Sequence, residues 1–195
     1  MCENIRSVFD SASPAERLEG MNWYMKAHYH SEALASKYRF NGAQVAGVIA
    51  ALSPGNDWAR NLHDAETLIN DFKRGCRGAD LPMVGSYGRA NVLKSERILI
   101  GAEPLSVLGG LKVRAFYQCI LNPFKTDAIC IDRHAKSVAQ GQRVTEKEAT
   151  VTPKQYEALS AAYRDVAGQA GISAHVLQAI TWVAWRNRIA KGANG

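Results

Sequence analysis

An all-α fold follows from three features of the chain. Apolar residues recur at helical spacing along most of its length, helix-capping signatures open several of those stretches, and no run shows the convincing alternation of period two that a half-buried strand requires. The run Ala128-Ile129-Cys130-Ile131 is apolar enough for a buried strand, but it is short and has no partner of matching type. The expected architecture is a two-lobed helical bundle.

In chain order, Ser13-Pro14-Ala15-Glu16 fits a capping box with proline at the first helical position. The helix it opens is expected to break near Gly20. Residues 21–38 place Trp23, Tyr24, Ala27, Leu34, Ala35 and Tyr38 at helical spacing. Asn41-Gly42 marks a turn. Residues 43–52 are apolar enough for a buried central helix, stopped by Ser53-Pro54-Gly55. Residues 57–73 carry Leu62, Ala65, Leu68, Ile69 and Phe72 on one helical face, and residues 76–87, rich in glycine, form a loop. A helix over 90–101 exposes Lys94 and Arg97 and closes on Gly101 as its C-cap. Pro104 opens the approach to a glycine turn and an apolar helix.

Residues 141–151 read as a polar surface loop. Thr152-Pro153-Lys154-Gln155 is a second capping box, opening a helix to about residue 168. Ser173 caps a last helix through 189, carrying Leu177, Ile180, Ala184 and Trp185, with Trp182 and Trp185 expected in the core. Residues 191–195 are expected to fray. No repeat, low-complexity stretch or linker divides the chain, so residues 1–195 are expected to form a single domain.

The totals narrow the function classes. A chain of 195 residues buries roughly 70% of its unfolded surface without needing a staple. The net charge of +6 modestly favours polyanionic partners. Cys2, Cys76, Cys119 and Cys130 form no C-x-x-C pair, which argues against a zinc or iron–sulfur site and suits reduced thiols in a cytoplasm. No apolar leader or membrane-length apolar run is present, so a cytoplasmic, membrane-free chain is expected, with no cofactor or metal and a monomeric state.

The chemistry concentrates in residues 108–139. Leu108-Gly109-Gly110-Leu111-Lys112-Val113-Arg114 places two glycines between helices, which permits positive φ and leaves backbone N–H groups free at the start of the next helix. With Lys112 and Arg114 alongside, that turn reads either as a phosphate grip or as a plain helix–helix turn. Asp132 follows an apolar run and precedes a helix expected over residues 133–139; it reads as an N-cap or as a carboxylate able to stabilise a sugar cation or activate water. His134 could orient that carboxylate or fill polar space. His63 and His175 receive no role.

Order and spacing together make this stretch resemble the helix-hairpin-helix DNA glycosylase superfamily. That family shows L-P-G-V-G before a basic or polar position, then V-D-x-H with its catalytic aspartate. Here residues 108–114 match the hairpin, within a hairpin region of about 93–121. Ile131-Asp132-Arg133-His134 matches the second motif, within a segment of about 128–140, and Asp132 stands eighteen positions after Arg114. Ser53, Asn56, Ala59 and Arg60 are similar to a pattern of 8-oxoguanine glycosylases in the loop that wedges into DNA, and residues 87–94 resemble the Asn-x-x-Lys helix before the hairpin. Gly109 replaces the proline and Lys112 the last glycine. Arg114 stands where bifunctional members carry their lysine nucleophile, and a guanidinium cannot form a Schiff base.

The resemblance implies a monofunctional DNA glycosylase, with Asp132 and His134 at the catalytic centre. Gly109, Gly110, Lys112, Arg114, Asn56, Arg60 and Arg133 would bind DNA, and Asn22, Trp23, Tyr24, Asp57 and Trp58 would form the base pocket. For Trp23 and Tyr24 core packing is the competing reading, and for Asn56 an N-cap. Related helix-hairpin-helix proteins act on hypermodified bases, so an antiphage role against DNA containing glucosylated hydroxymethylcytosine is one expectation. The rivals are a non-catalytic DNA-binding protein on the same fold and an enzyme acting on modified nucleotides or bases.

Overall fold

The computed structural model describes residues 1–190 and residue 192, so the fraying expected over 191–195 falls almost wholly outside the described residues. Among the described residues there are ten α-helices and no strand, in agreement with the all-α expectation. They are α1 (Cys2–Asp10), α2 (Pro14–Tyr38), α3 (Gly42–Leu52), α4 (Trp58–Lys73), α5 (Arg89–Ile100), α6 (Pro104–Val107), α7 (Leu111–Leu121), α8 (Arg133–Gln140), α9 (Pro153–Ala170) and α10 (Ala174–Ala190). The chain clusters into two compact units, one of Met1–Lys26 with Phe124–Gly195 and one of Ala27–Pro123.

The unit of Ala27–Pro123 is built around α3. Val45 to Leu52 are all buried, as an apolar helix without a polar face requires. Helices α4, α5, α6 and α7 pack on it. Asn41-Gly42 proves to be the helix start rather than a separate turn. Asn41 Oδ1 accepts the Gln44 N–H at 2.8 Å and Gln44 Oε1 accepts the Asn41 N–H at 3.2 Å, a reciprocal box. The Gln44 amide also donates to the carbonyls of Ile98 and Leu99, at 3.2 and 3.1 Å, satisfying the end of α5.

The unit of Met1–Lys26 and Phe124–Gly195 packs α1, α8, α9, α10 and the start of α2 around one apolar core. That core holds Ile5, Ile129, Ile131, Val138, Tyr163, Leu177 and Ile180. Helix α1 is an addition to the sequence reading. Ile5, Val8 and Phe9 are buried at helical spacing, but Met1 supplies no side-chain cap to announce the start. Both expected capping boxes are present: the Ser13 N–H and hydroxyl meet Glu16 Oε2 at 2.9 and 3.0 Å, and the Gln155 N–H meets Thr152 Oγ1 at 3.2 Å.

The expected break at Gly20 does not occur; α2 runs unbroken from Pro14 to Tyr38. Gly20 is instead the point where α2 crosses close to the backbone of α10, since a Cβ there would lie 2.4 Å from Ile180 Cα.

Candidate functional site

Asp132 is placed by what precedes it. Ile129 and Ile131 are buried in the core, in a segment without helix or strand assignment. Among the described residues there is no strand, and the phenol of Tyr156 on α9 meets two backbone groups of this segment. It donates to the Ile129 carbonyl at 2.6 Å and accepts the Ile131 N–H at 3.2 Å. The register of the segment is thereby fixed, and the next residue enters α8 as its N-cap.

Removing the Tyr156 hydroxyl leaves both backbone groups short of a partner. Tyr156→Phe is expected to cost about 1–3 kcal/mol, read as a lower urea midpoint. It should also weaken whatever function Asp132 serves.

The Asp132 carboxylate is half-buried and engaged at both oxygens. Oδ1 accepts the Ala135 N–H at 2.7 Å, which is the helix cap. Oδ2 accepts the indole N–H of Trp182 at 3.0 Å. The expectation that Trp182 lies in the core therefore fails, although Trp185 is a core residue as expected. Trp182 is half-buried, with Trp23 edge-on at 5.8 Å, His134 edge-on at 6.3 Å and the Arg186 guanidinium 4.4 Å from its ring centroid. One patch of α2, α8 and α10 thus collects a carboxylate, an imidazole, two indoles and a guanidinium.

Arg133 extends this patch through an ion pair with Glu146, at 3.4 Å, on the 141–151 loop. That contact is too exposed to hold the arginine strongly. The loop itself is anchored by Lys136, a buried lysine whose ammonium donates to the carbonyls of Glu148 and Thr150 at 2.6 and 3.2 Å. The polar surface loop read from sequence is therefore present but tied to α8.

Burial pushes the His134 imidazole below its ordinary value of 6.5; Asp132 opposes this, while Arg133, Arg186 and Arg143 reinforce it. The unfolded chain then takes up a proton near pH 6.5 that the folded chain takes up only at lower pH. Stability from this residue is present above that range and falls as the pH drops through 6.5, levelling off below the folded value. Urea midpoints at pH 7.5 and 5.5 should differ less in His134→Gln than in the unsubstituted protein.

The remaining residues of the expected base pocket divide. Tyr24 is buried, with its hydroxyl donating to Gln178 Oε1 at 3.0 Å and its ring against His175, so it belongs to the core. Asn22 spends its amide on the Leu18 carbonyl at 2.8 Å, within its own helix. Trp23 is half-buried and lies beside Trp182. Asp57 and Trp58 lie in the other unit. Asp57 is the N-cap of α4, accepting the Arg60 N–H at 2.9 Å, and the Trp58 ring lies edge-on to Phe116 and His30.

Asn56 is not the cap. Its amide donates to Asp64 Oδ2 at 2.9 Å, an oxygen that also accepts the Gly85 N–H at 3.0 Å and lies 3.8 Å from Arg60 Nε. Asp64 is 6% exposed and was missed by the sequence reading. Its only signal is a carboxylate next to the apolar positions of α4. It joins the 53–57 loop to the 84–88 loop, and Ser86 Oγ reinforces the joint by donating to the Gly55 carbonyl at 2.7 Å. Further along, Lys94 Nζ meets Asn91 Oδ1 at 3.2 Å, so the Asn-x-x-Lys pair closes on itself.

The glycine turn joins α6 to α7. Gly110, at φ 76°, is the N-cap of α7 and provides no side-chain cap; Gly109, Gly110 and Leu111 are exposed. Only Gly110 needs the left-handed region. Arg114 donates to the Leu105 carbonyl, which braces α6 against α7. Lys112 is half-buried in the first turn of α7. No group of three or more metal-ligating side chains occurs among the described residues, and no helix among them is long and apolar enough to cross a membrane.

A family model described as "Family of unknown function (DUF7178)" matches residues 1–189. No curated protein and no solved structure matches the chain.

Proposed function

We propose that this chain, which belongs to the DUF7178 family, is a monofunctional DNA glycosylase: it hydrolyses the N-glycosidic bond of a damaged or modified base and leaves the strand intact. The observation that carries the reading is the Asp132 patch. A carboxylate held by donors from two helices sits beside Arg133, His134, Arg186 and the rings of Trp23 and Trp182. Such a carboxylate can stabilise an oxocarbenium-like sugar or take a proton from water. Guanidinium groups suit the flanking phosphates, and an indole surface suits a base taken out of the stack. In the other unit, the exposed and uncapped start of α7 offers backbone N–H groups to a phosphate without reading sequence. No cofactor enters this chemistry.

The test is release of free base from duplex and single-stranded DNA carrying oxidised, alkylated or glucosylated hydroxymethylated bases, with Asp132→Asn as the paired variant. Glucosylated hydroxymethylcytosine is the substrate of the antiphage version of the reading. Strand nicking with a borohydride-trapped protein–DNA adduct would contradict the monofunctional assignment.

A second reading is favoured by the same hydrogen bonds. Both Asp132 oxygens already have donors, which suits a purely structural cap on a non-catalytic DNA-binding protein. That protein would bind DNA with a steep salt dependence and release nothing. A shallow salt slope would point to free nucleotides as the ligand.

A further inference from the structure

We infer that Trp182 is the positioning residue for Asp132 in the proposed base excision, setting the plane in which the carboxylate meets the sugar. The inference rests on the glycosylase reading. A capping aspartate anchored only through Oδ1 keeps freedom about its Cα–Cβ and Cβ–Cγ bonds, because the terminal torsion of an aspartate is broad. Here a second donor, from α10, fixes Oδ2 at 3.0 Å while Ala135 fixes Oδ1 at 2.7 Å. With both oxygens held by donors on different helices, the carboxylate plane is determined and each oxygen keeps a lone pair for the reaction.

The indole is itself held. Trp23 meets it at an interplanar angle of 66°, His134 at 87°, and the Arg186 guanidinium lies 4.4 Å from its centroid. These contacts restrict the turning of the ring that would carry the N–H away from Asp132. An indole N–H donates and cannot accept. It therefore orients the carboxylate without competing as acid or base. Phenylalanine would retain most of the ring contacts and lose only the donor, so the two roles of Trp182 can be separated.

The experiment compares the unsubstituted protein, Trp182→Phe and Asp132→Asn. Single-turnover base release in Trp182→Phe is expected to fall about 100-fold, the scale of a misplaced reacting group, and by far more than DNA binding weakens. The Trp182 indole N–H resonance is expected to shift in Asp132→Asn while that of Trp185 stays. The resonance arm needs only the Asp132 variant, so it stands even if Trp182→Phe folds poorly.

Wild-type release rates in a folded Trp182→Phe, or an unmoved Trp182 resonance, would overturn the positioning role while leaving the glycosylase reading intact. Absence of release by the unsubstituted protein from every DNA tried would retire the glycosylase reading, and the positioning role with it.

Discussion

Asp132→Asn is expected to lower base release by about 10²- to 10⁴-fold, the range set by losing a positioned acid–base or charge-stabilising group, with little change in DNA affinity. Asparagine caps a helix nearly as well as aspartate, so α8 should still form. Its amide must place one NH2 group where a carboxylate oxygen now accepts either Ala135 or Trp182. One of those two donors then loses its acceptor, and a stability loss of about 1–3 kcal/mol is expected. Asp132→Ala removes the cap outright.

The activity and stability effects separate the two readings. If Asp132 is only a cap, both variants lose stability and neither changes anything measured on DNA. If it is catalytic, release collapses in both, including under conditions where urea melts show each variant folded. The salt slope of DNA binding should be the same in all three proteins, because a carboxylate contributes no phosphate contact.

What could be read from sequence was what depends on neighbours in the chain. The cap at Asp132 needs only Ala135, three residues on, and the boxes at Ser13 and Thr152 have the same local reach. What could not be read depends on distant partners. Sequence alone puts Trp182 in the core together with Trp185. Its N–H partner lies fifty residues away, and nothing local to α10 announces it. Asn56 stands in a polar loop, which suits a DNA contact, yet Asp64, on the helix that follows, takes its amide. Helix α1 shows the opposite failure: the spacing of Ile5, Val8 and Phe9 was visible, but it lacked a side-chain cap to mark it as a helix start.

Gly20 is where propensity and packing point in opposite directions, and its substitution is expected to have the largest effect on stability. Within a helix, glycine to alanine ordinarily gains about 0.5–1 kcal/mol. At Gly20 the added Cβ would sit 2.4 Å from Ile180 Cα, 2.6 Å from Ile180 N and 2.8 Å from Ile180 Cγ1. Two of those atoms are backbone in the middle of α10, and they cannot rotate aside as a side chain would. Relief requires moving α2 and α10 apart across a core that includes Leu177, Ile180 and Ala184. Overpacking typically costs 1–3 kcal/mol, and a clash with helix backbone belongs at or above the top of that range, so Gly20→Ala should lose about 3 kcal/mol. Gly20→Leu should leave this unit unable to fold, since whole domains are stable by only about 5–15 kcal/mol. Gly168 on α9 supplies the control. No atom lies within 4 Å of a Cβ built there, so Gly168→Ala should raise the urea midpoint by the ordinary helix gain. Trp23 and Trp182 are carried by these same two helices, so Gly20→Ala should also alter the near-ultraviolet dichroism of the tryptophans. A variant as stable as the parent, with that spectrum unchanged, would show that α2 and α10 do not cross at Gly20.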